Sequence, residues 1–114
     1  MKNIDNSYFR IVLITCPNIQ EAENISRILV NDRIAACANI VPHVRSVYTW
    51  QDKVEESEEV MLIIKTIEEN LPQLEEFIKN YHSYTVPEII SWPIKSGNLE
   101  YLKWMTEVTN VSVQ

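Results

Sequence analysis

The sequence predicts an α+β domain of ferredoxin-like type: an antiparallel four-stranded sheet with two helices on one face. Three observations carry this. Two continuous apolar runs, 9–15 and 60–64, are short enough to be strands buried on both faces. Two stretches with apolar residues at helical spacing separate the extended segments, giving the order strand, helix, strand, strand, helix, strand and then a further helix. Right-handed crossovers in that order put the first and third strands at the centre of the sheet, where the two most apolar runs belong.

The elements follow in order. Residues 1–8 are polar and mixed in charge and read as a loose arm. The strand over 9–15 is stopped by Pro17, and Asn18 caps a helix with Glu21 in a capping-box position. Ala22, Ile25, Ile28 and Leu29 share that helix's buried face, and it ends near Asn31 and Asp32. The stretch 35–66 reads as one long hairpin. Its first arm has a break or bulge at Pro42 and lies at or near a sheet edge, because Pro cannot donate to a ladder. Beyond the break, Val44, Ser46, Tyr48 and Trp50 share one face, and Arg45, Val47 and Thr49 the other. Gln51 and Asp52 form a tight turn, with Asp52 the more tolerant of positive φ. The return arm is acidic outside and wholly apolar over 60–64. Asn70 is expected to cap a second helix whose buried stripe is Leu71, Leu74, Phe77, Ile78 and Tyr81. A loop over 82–87 leads to a short core strand, 88–92, stopped by Pro93. Gly97 and Asn98 open a third helix with Tyr101, Trp104, Met105 and Val108 on one face, and 110–114 is a tail.

Composition narrows the function. At 114 residues the chain is one domain, 1–114, with its own core. A net charge of −6 and no basic stripe argue against nucleic acid, which needs a cationic face to release counterions. One glycine leaves no room for phosphate-cradling loops. No apolar stretch approaches membrane-spanning length, and no secretory h-region opens the chain. Two cysteines outside any Cys-x-x-Cys pair make no disulfide framework, so a reducing, cytoplasmic setting is expected. Helices cover only one face of such a sheet. The other face is also apolar, so an oligomer with sheets facing one another is expected.

Candidate chemistry is sparse. Cys37 and Cys16 are either soft-metal ligands or small core residues. His43 and His82 lack partners at zinc-ligand spacing, so each alone is better read as solvated or structural. Glu55, Glu56, Glu58 and Glu59 alternate across a strand and form no preformed cage. Lys65 and Glu88, with Glu59, suggest an ion pair or a binding pocket. Tyr48, Trp50, Tyr84, Trp92 and Trp104 are aromatic residues near strands, where packing is the plain reading. No nucleophile, base and orienting group occur in a recognisable pattern, so no catalytic residue is assigned and no enzyme is expected.

Motifs across 12–104 then add up. They are Thr15-Cys16-Pro17-Asn18, Ala35-Ala36-Cys37-Ala38-Asn39-Ile40-Val41-Pro42 and Val44-Arg45-Ser46-Val47-Tyr48-Thr49-Trp50. Lys53, Glu59 and Lys65-Thr66 follow, then His82-x-Tyr84-x-x-Pro87-Glu88 and Tyr101-Leu102-x-Trp104. In this order and spacing the chain resembles the CutA divalent-cation tolerance family. The resemblance implies a ferredoxin-like subunit in a homotrimer similar to the PII signalling proteins, with the sheets as inner wall and the hairpin reaching a neighbour. It implies a role in tolerance of copper and other divalent cations, with copper the leading metal and no obligatory cofactor. By position, Cys37 and His82 are the metal candidates, and Tyr48, Trp50, Glu59, Lys65, Tyr84 and Glu88 the candidates to line an intersubunit cleft. The chain departs from the family's pattern at His43 and Asp52, where Gly is frequent, and at Ser83, where Pro is frequent. The competing reading is a PII-like signalling or scaffold trimer that holds a small metabolite or anion in the cleft, served by Lys65, Arg45 and the aromatics.

Overall fold

The computed structural model describes residues 2–3 and 8–109. The order is β1 (Lys2–Asn3), β2 (Phe9–Cys16), α1 (Ile19–Asn31), β3 (Cys37–Trp50), β4 (Lys53–Ile67), a 3-10 turn (Glu68–Asn70), α2 (Leu71–Tyr81), β5 (Ile89–Pro93), β6 (Ser96–Gly97) and α3 (Leu99–Thr109). The main sheet is antiparallel in the order β3-β4-β2-β5, so the two most apolar strands are central. The arm is not loose throughout. Its β1 pairs with β6, Lys2 opposite Gly97 and Asn3 opposite Ser96. Residues 1 and 4–7, and the tail at 110–114, lie outside the described residues.

Strand alternation decides where the core sits. Val12, Ile14 and Cys16 on β2 and Leu62 and Ile64 on β4 are fully buried beneath Ala22, Ile25 and Leu29 of α1 and Leu74 and Ile78 of α2. Burying each of the large aliphatic side chains contributes about 2 kcal/mol. The alternate residues Ile11, Leu13, Met61 and Ile63 point the other way and are only half-buried. Within one chain the central strands are therefore covered on one face. α3 reaches only the Phe9 end of the opposite face, where Leu102 and Met105 form a second small core with Ala36.

Local contacts fix the helix ends. Asn18 Oδ1 accepts from the Glu21 N–H at 2.8 Å, as a cap should. At the far end Arg33, at φ 61°, reverses the chain in the left-handed region, and the Ile34 and Ala35 amides donate to the Leu29 carbonyl. Asn70 does not cap α2. Its Nδ2 donates instead to the carbonyls of Ile34 (3.1 Å), Arg33 (3.3 Å) and Thr109 (3.5 Å). The Thr66 hydroxyl donates to Ile34 O at 2.6 Å beside it. The buried Ile34 carbonyl is thereby satisfied by two side-chain donors.

Three expected faces differ. Tyr81 is exposed and stacks on Phe77 with ring centroids 5.1 Å apart, so the α2 stripe stops at Ile78. β5 is an edge strand that gives the core only the half-buried Ile89: Ile90 is 52% and Trp92 44% exposed. α3 buries Leu102, Met105 and Thr109, while Tyr101 and Trp104 stay exposed and pack on each other. In β5 and α3 the large side chains lie on surface that their own chain leaves uncovered.

The hairpin is as long as expected. Its register slips between Val41 and Val44, at Pro42-His43, with His43 at φ 63°. The tip has Gln51 at φ 51° and Asp52 at φ 66°, both left-handed, as a tight turn between twisted strands requires. The two long arms account for extents of 44 × 29 × 22 Å.

Candidate functional site

His82 closes α2, and its neighbours pin the loop that follows. Its backbone N–H donates to Ile78 O at 2.8 Å. The ring is buried, with Nε2 2.7 Å from Thr15 O. A carbonyl only accepts, so Nε2 carries the proton. Nδ1 then accepts from the Tyr84 N–H at 3.0 Å. Glu21 lies against the same corner: its Oε2 accepts from the Ser83 N–H (3.0 Å) and hydroxyl (3.2 Å) and stands 3.4 Å from His82 Nδ1. Glu21 therefore ties α1 to the loop instead of completing a capping box. No spacing in the sequence could have placed it there, since the partners are 62 residues apart.

This corner aims Tyr84 at the hairpin. Its ring lies 4.8 Å from that of His82, and its hydroxyl donates to Glu59 Oε2 at 2.7 Å. Burial, and then the bond to Glu59, raise the Tyr84 phenol well above its ordinary range, so it stays a donor. Glu59 is only 7% exposed. Tyr48 is held from below by the Ser57 hydroxyl at 3.3 Å. Between the outer hairpin and the 83–88 loop lies a cleft of about 670 Å³, lined by Ser46, Tyr48, Trp50, Glu59, Tyr84 and Glu88 together with Val47, Ser83, Thr85 and Val86. Five of the six residues expected at an intersubunit cleft lie together in this cleft of one chain.

The sixth, Lys65, lies elsewhere. Cys37 pairs with Lys65, Lys65 with Ile11 and Ile11 with Trp92, forming one row across the sheet. Lys65 Nζ donates to Asn39 Oδ1, and the Cys37 thiol is 3.7 Å from the same oxygen. Glu88 precedes Ile89, which pairs with Ile14, so it sits at the other end of the strands and forms no ion pair with Lys65. His82 touches Thr15, four residues along β2 from the Cys37 row, about 13 Å at strand rise. One chain therefore does not bring Cys37 and His82 together. Among the described residues no three His, Cys, Asp or Glu side chains gather where a metal ion would sit. The acidic run is dispersed as alternation requires: Glu56 meets Arg45 at 2.5 Å, Glu58 meets His43 at 2.9 Å, and Glu59 turns to Tyr84.

The profile of the CutA1 divalent ion tolerance proteins matches residues 10–108. The chain belongs to the CutA family. It is 48% identical to the divalent-cation tolerance protein CutA of Thermus thermophilus over 87% of this chain and 96% of that one. It is 43% identical to human protein CutA over 84% of this chain, but spans only 54% of the human protein. Among solved structures, the Thermus thermophilus protein superposes with TM-score 0.87, covering 89% of this chain and 98% of that one. The Archaeoglobus fulgidus structure, described as a periplasmic CutA, is 37% identical, with TM-score 0.86 over 89% of this chain and 98% of that one. His43 and Asp52 both adopt the positive φ that glycine takes without strain.

Proposed function

We propose that this chain is a cytoplasmic divalent-cation tolerance protein that works as a homotrimer and binds copper through Cys37. The supporting observation is the placement of Cys37. It is the half-buried thiol of the chain, in the row with Lys65 and Ile11 and beside Tyr101 of α3, whereas Cys16 is sealed in the core. A thiolate with an amide oxygen beside it suits soft copper(I) better than a hard divalent ion. One sulfur per chain is an incomplete set, so further ligands come from a second copy. His82 joins such a set only by giving up Thr15 O or the Tyr84 amide. Its role in one chain is to set the 83–88 loop. Ile11, Leu13, Ile63, Ile90 and Trp92 on the uncovered face favour burial against other copies. The proposed role is non-catalytic. No helix among the described residues is long and apolar enough to cross a membrane.

Titration of reduced protein with copper(I), beside Cys37→Ser, tests the metal site. Weaker binding by the variant is expected, and equal binding removes Cys37 as ligand. Light scattering at micromolar concentration tests the assembly: a trimer mass is expected, and a monomer overturns it.

A second reading has its own observation, the cleft between the hairpin and the 83–88 loop. It makes the protein a PII-like carrier or signalling trimer for a small metabolite. Lys65 and Arg45 are not among the cleft walls, which carry Glu59 and Glu88. The walls therefore do not suit an anion. A thermal-shift screen separates the readings, since a ligand that binds only the folded protein raises its melting temperature.

A further inference from the structure

The cleft has an unusual mixture of walls. Tyr48, Trp50 and Tyr84 give it aromatic faces, and Glu59 and Glu88 give it negative charge. Neither carboxylate forms an ion pair among the described residues. Glu59 matters most. It is 7% exposed, its one hydrogen bond among the described residues is from the Tyr84 hydroxyl, and it still reaches the cleft wall. A carboxylate this buried, with a phenol as its one partner among the described residues, lacks the positive charge that would compensate its burial.

Two kinds of cation would supply that charge. A metal ion needs several strong donors at once, and no group of three His, Cys, Asp or Glu side chains that could hold one occurs among the described residues. Aromatic rings are no use to it as ligands. To an alkylated ammonium they are the main attraction, because its diffuse charge lies against the negative faces of rings while a carboxylate balances it. The volume of about 670 Å³ and the apolar Val47 and Val86 at the rim leave room for methyl groups and a short chain.

We propose that this cleft binds a small quaternary or methylated ammonium compound, with Glu59 as counter-ion and Tyr48, Trp50 and Tyr84 as the ring walls. The proposal rests on the reading of the cleft as a small-ligand site and specifies the ligand class. Tyr84 serves twice: its hydroxyl holds Glu59 in place, and its ring is fixed against His82 by the pinned loop.

The test is calorimetric titration of the native protein with choline, with its neutral carbon isostere 3,3-dimethylbutan-1-ol, and with magnesium chloride. Saturable choline binding is expected, with none by the isostere and no displacement by magnesium. Glu59→Gln keeps the shape and can still accept from Tyr84, and it should weaken choline binding by about tenfold. Trp50→Leu, at an exposed position, should weaken it by about fivefold. Both variants should melt within a few degrees of the parent. Equal binding of the isostere overturns the role of charge, and displacement by magnesium overturns the organic ligand. Absence of choline binding at millimolar concentration, with a different metabolite found in the thermal-shift screen, overturns the ligand class while the cleft reading stands. Absence of binding by choline and by every metabolite overturns both, and leaves the Cys37 reading untouched.

Discussion

The Cys16 thiol lies at zero exposure beneath α1, and its titration is raised from 9.0 to about 12, first by burial and then by the charges of Glu21 and Glu59. In the unfolded chain the thiol loses its proton first, so between about pH 9 and 12 alkali favours unfolding. The parent should therefore lose thermal stability over that window more steeply than Cys16→Ala, as differential scanning fluorimetry would read; parallel curves would dismiss the effect. In native protein at pH 8, iodoacetamide should leave Cys16 unmodified, which mass spectrometry of digests would report. Asn70 offers a second check at this scale. Its amide serves the Arg33 and Ile34 carbonyls and that of Thr109 at the end of α3, so Asn70→Ala should cost about 2–3 kcal/mol in a urea titration. The sequence pointed to this residue but misassigned its task, because Asn before a helix is the ordinary signature of a cap. Only the fold brings Ile34 O within its reach.

Among the elements, the hairpin was the most legible and the last helix the least. Pro42 announced the bulge, and Gln51-Asp52 the turn, because backbone geometry at these residues is local. Two consecutive left-handed residues without glycine still carry strain. Asp52→Gly should raise stability by about 0.5 kcal/mol in thermal melts, and an unchanged or lower melting temperature would locate the turn's preference elsewhere. In α3 and β5, spacing alone grouped the bulky residues as a buried face. Both elements put Tyr101, Trp104, Ile90 and Trp92 outward instead. Periodicity shows that a face is apolar; it does not say whether the same chain covers it.

For the whole molecule that uncovered surface is the governing fact. The half of the sheet that carries Ile11, Leu13, Met61 and Ile63 has no helix of its own chain over its centre. Ile63→Asp should leave the core of one subunit intact, since Ile63 is not part of it, while breaking assembly. Light scattering should then show a smaller species with unchanged helical circular dichroism. A variant that keeps the parent's mass would mean that this face is not where copies meet.

The sequence by itself determined the order of the main strands and helices, though not the β1–β6 pair, and with it the central position of β2 and β4, the bulge, the tight turn and the family, since each rests on local pattern or on motif order. It also named five residues that line the cleft of one chain, but by resemblance and for a cleft between subunits. Tertiary structure alone decided that Lys65 and Cys37 lie at one end of the sheet while His82, Glu59 and Glu88 lie at the other. Strand register sets that separation, and register depends on partners dozens of residues away. It alone also showed Glu21 and the Tyr84 amide converging on Nδ1 of His82 to hold the loop against the hairpin, since these contacts join α1, the 82–84 loop and β4 through space.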